Sequence, residues 1–284
     1  FIGINLIFSI EVFMLAETLA QPSEYPCDIK RIAAIPARLE SSRLPNKLLA
    51  DIGGKLMIQR VLERCSEAKS LAAVVLCTDS DQLRELAQRR GLPVLMTSAN
   101  CRSGSERIAS VADALMAMAW PGEPVDPRRT AVINVQGDQP FLDPGVIEAM
   151  AAQFDPCDSL PAVVTPVYAL GAETLHNPNV VKALLAHDGR ALYFSRSAIP
   201  HVRDVDPADW HLHTTYWGHV GIYGFRGDVL KAWGQLPSSP LEDLERLEQL
   251  RLIEAGYNIA TFLVAGTPLS VDTAEQLAQA RAMV

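Results

Sequence analysis

The chain has no C-x-x-C pair, no excess of positive charge, no internal repeat and no low-complexity stretch in its 284 residues. Each absence closes off a class of protein. The five cysteines (Cys27, Cys65, Cys77, Cys101 and Cys157) are scattered and odd in number, which fits reduced thiols in a cytoplasmic protein rather than a disulfide framework. Cys65 and Cys77 fall in apolar patterns and read as small core residues. A net charge of -8 offers no basic face for nucleic acid. A membrane span is missing as well: the apolar stretch 1–15 is short, is broken by Asn5 and Glu11, and lacks the basic start of a secretion signal. The chain begins without methionine, and residues 1–30 read as an extension outside the core, with a natural start expected near Met14.

What is present is a chain long and apolar enough for one large α/β domain or two small ones. Apolar runs at 31–35, 73–77, 92–96, 131–135, 161–168 and 218–225 predict strands. They alternate with helical periodicity at 55–68, 80–90, 105–118, 144–154, 240–255 and 273–283. The order is βαβ, and runs such as Ala73-Val-Val-Leu-Cys77 suit an open, mostly parallel sheet covered by helices on both faces. Residues 170–215, richer in proline, histidine and charge, interrupt the rhythm and read as a small inserted subdomain.

Against the acidic background one basic cluster stands out. The run Ile32-Ala-Ala-Ile35 is expected to end as a strand at Pro36, which cannot extend a ladder. The loop after it carries Arg38, Arg43 and Lys47 against a single acid, Glu40. Guanidinium forks and an ammonium at the carboxyl end of a strand suit a polyphosphate; a solvated basic loop is the plain alternative. Ligands of a parallel sheet lie beyond the carboxyl ends of its strands, so 36–47, Thr78-Asp79 and Gln136-Gly-Asp138 should converge on one rim.

Asn134-Val-Gln136-Gly-Asp138-Gln-Pro140 places a carboxylate in a turn where Gly137 allows close backbone approach. Asp138 there is a candidate magnesium ligand or an ordinary turn aspartate. Asp272 is a second candidate, although it or Thr273 could instead cap the last helix. Arg102-Ser103-Gly104-Ser105-Glu106-Arg107 opens a helix with free amides, or is simply a helix start. Asp79-Ser-Asp81 has the D-x-D form of sugar-nucleotide glycosyltransferases, yet acids at a helix start explain it equally. Arg196, Arg203, His219 and Tyr223 are spread around the insertion, where two arginines could clamp a carboxylated substrate or each could be a surface residue or core partner. In 241–251, Leu241, Leu244, Leu247 and Leu250 form one stripe and Glu242, Glu245 and Glu248 a solvated face, with Glu248 and Gln249 able to look into a pocket.

Taken in order, IPARLESSRLPNK, GGKLMIQRV, CTD, SGSER, NVQGDQP, NPNVVK, ALYFSR, HVGIYGF, LERLEQLR and VDTAE resemble the 3-deoxy-manno-octulosonate (Kdo) cytidylyltransferases of lipopolysaccharide assembly, from about Arg31 to the C-terminus. The resemblance implies a Rossmann-like nucleotidyltransferase domain over 31–284, acting as a cytoplasmic homodimer joined through the insertion. It implies transfer of CMP from CTP to the anomeric hydroxyl of Kdo, with release of pyrophosphate. Arg38 and Lys47 would bind the triphosphate, Asp138 and Asp272 would hold Mg2+, and Ser103, Gly104 and Arg107 would seat the nucleotide. Gln136, Arg196, Arg203, His219, Tyr223, Glu248 and Gln249 would form the sugar side. The chain departs from the family at Gln139, often Glu, at Asn100-Cys101, often Asp-His, and at Ala274, often Pro. Other readings are CMP transfer to 8-amino-Kdo or sialic acid, a glycosyltransferase, and a non-catalytic nucleotide-binding protein.

Overall fold

The structure, a computed structural model, describes residues 28–41, 43–155, 160–266 and 269–284. Cys27, Cys157 and all but the last residues of the expected extension lie outside them. In chain order the elements begin with β1 (Lys30–Ala37), β2 (Asp51–Ile52), β3 (Lys55–Leu56), α1 (Met57–Ser66), β4 (Ala73–Thr78), α2 (Asp81–Gln88) and β5 (Val94–Met96). Next come α3 (Gly104–Ala109), α4 (Ala112–Ala119), β6 (Thr130–Asn134), α5 (Pro144–Ala152), β7 (Val163–Ala169), β8 (Lys182–Leu185), β9 (Arg190–Ser195) and β10 (Trp217–His219). The chain finishes with β11 (Tyr223–Arg226), α6 (Gly227–Ala232), α7 (Pro240–Glu245), α8 (Leu250–Glu254), β12 (Ile259–Leu263) and α9 (Ala274–Ala282).

Two compact units emerge. The core unit comprises the described residues within 28–155, 222–235 and 269–284; the inserted unit comprises those within 160–221 and 236–266. The core sheet runs β11-β6-β1-β4-β5. Its β6–β1, β1–β4 and β4–β5 pairs are parallel and only β11 is antiparallel, as the continuous apolar runs require. From β1 the chain continues to β4 and β5 on one side and later returns to β6 on the other. The loops leaving β1 and β6 therefore part at a topological switch point, where an open sheet forms its ligand crevice.

Strand β1 does not stop at Pro36: Pro36 pairs with Cys77 and Ala37 with Thr78. The ladder to β6 has already ended at Ala34↔Asn134, so the proline lies where only one neighbour remains.

In the inserted unit the strands run β10-β8-β9-β12-β7, and β10 also pairs with β7, closing five strands into a ring. Only β12–β7 is parallel. Strands β8, β9 and β12 had no expected counterpart, because half-exposed strands such as Arg190–Ser195 lack a continuous apolar run. The expected strand 218–225 is two strands parted at 220–222, and helix 105–118 breaks around Ser110-Val111. The expected helix 240–255 also breaks, at Arg246, whose φ of 55° is left-handed. This break overturns the leucine stripe: Leu247 and Leu250 are buried, whereas Leu244 is 81% exposed. The acidic face changes too, since Glu242 pairs with Arg251 at 2.6 Å and Glu245 accepts from Ser195. Among the described residues no helix is long and apolar enough to cross a membrane.

Candidate active site

The loop after β1 turns back on itself through Asn46 N–H to Leu39 O (3.2 Å) and Lys47 N–H to Leu44 O (3.2 Å), with Asn46 in the left-handed region. Buried Leu48 anchors the turn. Lys47 is thereby aimed at the loop after β6, where its ammonium donates to Asp138 Oδ2 at 2.6 Å and to Asp272 Oδ1 at 2.7 Å. Two acids distant in sequence so meet on one cation.

Two local devices bring them there. Val271 N–H donates to Asp138 O at 2.9 Å, which ties the last segment to the β6 loop. Thr273, not Asp272, caps α9: its hydroxyl accepts from Gln276 N–H, and the Gln276 side chain returns to the Thr273 and Asp272 amides. The Asp272 carboxylate is left for Lys47 and for Arg43, whose guanidinium lies 3.1 Å from Asp272 Oδ2. Gly137 supplies the close approach, since a Cβ there would sit 3.3 Å from Pro36 O and 3.4 Å from Leu48.

A cleft of about 320 Å³ opens over this centre. Arg38, Arg43, Lys47, Arg102 and Arg107 line it beside Glu40, Asp138 and Asp272, so it carries positive charge in an acidic chain. Burial is the largest influence on the Lys47 amine and pulls it down. The charges and hydrogen bonds of Asp138 and Asp272 together outweigh that pull and hold the amine above its ordinary value. Arg38, exposed at the end of β1, has no partner among the described residues and is available to an anion.

The far wall is the start of α3. Ser103 accepts from Glu106 N–H as the helix cap. Arg107 is 2% exposed and bonded to Asp79 Oδ2 at 3.0 Å, to Ser98 O and to the Thr97 hydroxyl. Its guanidinium is thus held largely by protein, and the D-x-D triplet is not a carboxylate pair: Asp79 serves Arg107 while Asp81 meets Arg84 at 3.0 Å. Of the three segments expected on one rim, 36–47 and 136–138 line the cleft directly, and Asp79 reaches it only through Arg107. Gln136 lines the cleft against Gly104. Tyr223 is buried in β11 in register with Asn134.

The remaining expected residues belong to the inserted unit. Arg196 is bound by backbone, donating to Glu245 O at 2.7 Å and Pro178 O at 3.0 Å. Its own carbonyl accepts from the buried Lys182 ammonium at 2.6 Å. Arg203 is 90% exposed beside Asp204. His219 Nε2 lies 2.9 Å from Thr165 Oγ1, with its ring edge-on to Phe194, and burial pushes its pKa down to about 3. It is neutral at pH 7 and so contributes a hydrogen bond and no charge. Gln249 is buried beside the break that precedes α8, and Glu248 is half-buried. Arg43 is the cleft residue that sequence reasoning counted in the basic cluster but gave no role; its proximity to the distant Asp272 is a tertiary fact.

The family model for cytidylyltransferases matches residues 32–259. The chain belongs to the cytidylyltransferase family. This cytidylyltransferase is 41% identical over 251 residues to the 3-deoxy-manno-octulosonate cytidylyltransferase of Porphyromonas gingivalis, covering 88% of this chain and 94% of that one. It is 40% identical to the enzyme of that name from Myxococcus xanthus, covering 86% and 92% of the two chains. Among solved structures, CMP:2-keto-3-deoxy-manno-octonic acid synthetase complexed with CTP superposes with a TM-score of 0.79 at 39% identity, over 89% of this chain and 98% of that one. A glucose-1-phosphate thymidylyltransferase from Bacillus anthracis, 14% identical with a TM-score of 0.60, shares the fold.

Proposed function

We propose that this cytidylyltransferase transfers CMP from CTP to the anomeric hydroxyl of Kdo. The observation that carries the reading is the cationic cleft in which Lys47 joins Asp138 to Asp272, at the switch point of a sheet shared with relatives of that name.

The anomeric oxygen bonds to the α-phosphorus as the bridge to the β-phosphorus breaks and pyrophosphate leaves. Such a transfer depends on positioning and charge more than on covalent chemistry. Arg38, Arg43 and Lys47 neutralise the pyrophosphate as it departs. The nucleotide rests on the opening of α3, where the Ser103 hydroxyl accepts from Glu106 N–H as the cap and keeps its own O–H to donate. Within the core unit, Gln136 and Tyr223 belong to the sugar side. Within the inserted unit, His219 offers a neutral hydrogen-bonding group, and Arg203 has a more accessible guanidinium than Arg196, which is held by backbone carbonyls.

Asp138 and Asp272 suit Mg2+: both are hard oxygen donors and both already converge on one cation. Among the described residues no group of three or more histidine, cysteine or acidic side chains is placed to hold a metal ion. Magnesium characteristically takes one or two carboxylates and completes its shell with phosphate and water, which this pair matches. When bound, the ion would offset phosphate charge and acidify the attacking hydroxyl.

A homodimer formed through the inserted unit is part of the same reading. A cytoplasmic location is supported by the free thiols of Cys65, Cys77 and Cys101. The deciding experiment supplies each nucleoside triphosphate with Mg2+ and, in turn, Kdo, 8-amino-Kdo or sialic acid, and measures pyrophosphate. CTP with Kdo should be the productive pair; turnover only with another sugar, or with none, overturns the reading.

A further inference from the structure

Behind the cleft lies a buried chain of amides and a hydroxyl. Asn134, the last residue of β6, is fully buried, and its side chain has two bonds: Oδ1 accepts from Gln136 Nε2 at 3.2 Å, and Nδ2 donates to Ser105 Oγ at 3.2 Å. Ser105 is itself fully buried on α3. The Gln136 carboxamide is confined from the other side as well, because a Cβ on Gly104 would lie 2.9 Å from its Oε1 and 3.1 Å from its Nε2. Among the described residues no group donates to Gln136 Oε1, and the side chain lines the cleft.

A carboxamide has an accepting end and a donating end of nearly the same shape, and a half-turn about its last bond exchanges them. Which end a ligand meets is set by what holds the other. In the structure Asn134 holds the donating end, since its Oδ1 accepts from Gln136 Nε2 while its Nδ2 donates to Ser105 Oγ. Gln136 must then present its carbonyl oxygen to the cleft.

We propose that Asn134 is a positioning residue for the acceptor sugar. Acting through Gln136, it keeps an accepting oxygen toward a sugar hydroxyl that donates. The inference rests on the proposed function above, which places Gln136 on the sugar side. Ser105 anchors Asn134, and the absence of a side chain at Gly104 gives the carboxamide room.

The test is steady-state kinetics with CTP and the sugar varied separately, on wild type, Asn134→Ala, Gln136→Ala and the double variant. Asn134→Ala should raise the sugar KM about fivefold to tenfold, the scale of one lost hydrogen bond, and leave the CTP KM unchanged. The double variant should be no worse than Gln136→Ala alone, since a residue acting only through Gln136 has nothing left to position. Ser105→Ala, a smaller change, should give the same sugar-selective rise and keeps the test open if Asn134→Ala does not fold. Losses that multiply in the double variant, or that fall equally on both substrates, overturn the inference. So does a change in thermal stability without a change in sugar KM. If the wild type transfers CMP to no sugar, the parent reading fails with it; normal wild-type turnover with multiplying losses overturns this inference alone.

Discussion

Asp138 and Asp272 illustrate how little a single carboxylate says until its neighbours are known. Each could have been a turn or capping aspartate, and Thr273 takes the capping role that would have consumed Asp272. With both acids on Lys47, replacing either by alanine should lower CMP transfer by about a thousandfold, roughly 4 kcal/mol of transition-state stabilisation. The folded state should persist; pyrophosphate release together with circular dichroism checks both halves of that expectation. His219 predicts a pH effect of defined sign. Its folded pKa, about 3, lies below the ordinary 6.5, so the unfolded chain takes up the proton first. His219 is therefore stabilising at neutral pH, and that contribution declines as pH falls from 6.5 toward 3, at up to about 1.4 kcal/mol per pH unit. Urea titrations at pH 7 and pH 5 should show a smaller acid-side loss for His219→Gln than for wild type. Burial raises the Cys65 and Cys77 thiols to about 12, so mass mapping after brief alkylation of the native protein should find both unmodified.

At the scale of elements, legibility followed burial. Strands β1, β4 and β6 are covered on both faces and were visible as apolar runs, whereas β8, β9 and β12 alternate or fray and were not. Helix α9 is expected from the periodicity of 273–283 with Asp272 or Thr273 as its cap; Thr273 takes that place, and both ends of a capping box with Gln276 are engaged. Thr273→Ala should cost about 1 kcal/mol of stability. It should also reduce turnover more than an equally destabilising surface substitution, because the cap orients the Asp272 backbone; thermal melts and kinetics on the same variants test this. The periodicity of 240–255 carried no sign of the break at Arg246. That break is settled by tertiary partners: Glu245 takes the Ser195 hydroxyl and the Arg196 amide, and Glu242 takes Arg251.

For the whole molecule, charge is the governing quantity. A chain of net charge -8 that concentrates five cations around one cleft must attract a polyphosphate locally and repel it elsewhere. Raising ionic strength from 0.05 to about 0.5 M should therefore increase the CTP KM severalfold and leave kcat nearly constant, since screening weakens encounter and binding more than short contacts. A kcat that falls in step with KM would place the cations in the chemical step instead. By itself the sequence determined the βαβ order, the basic loop after the first strand and the two acidic turns, because apolar runs and short-range residue chemistry survive in one dimension. The tertiary structure alone decided that Asp138 and Asp272 meet on Lys47 while Thr273 does the capping, that Arg43 reaches Asp272, that Asp79 holds Arg107, and that Asn134 holds Gln136. Those outcomes depend on contacts between segments far apart in the chain, whose partners local composition cannot specify.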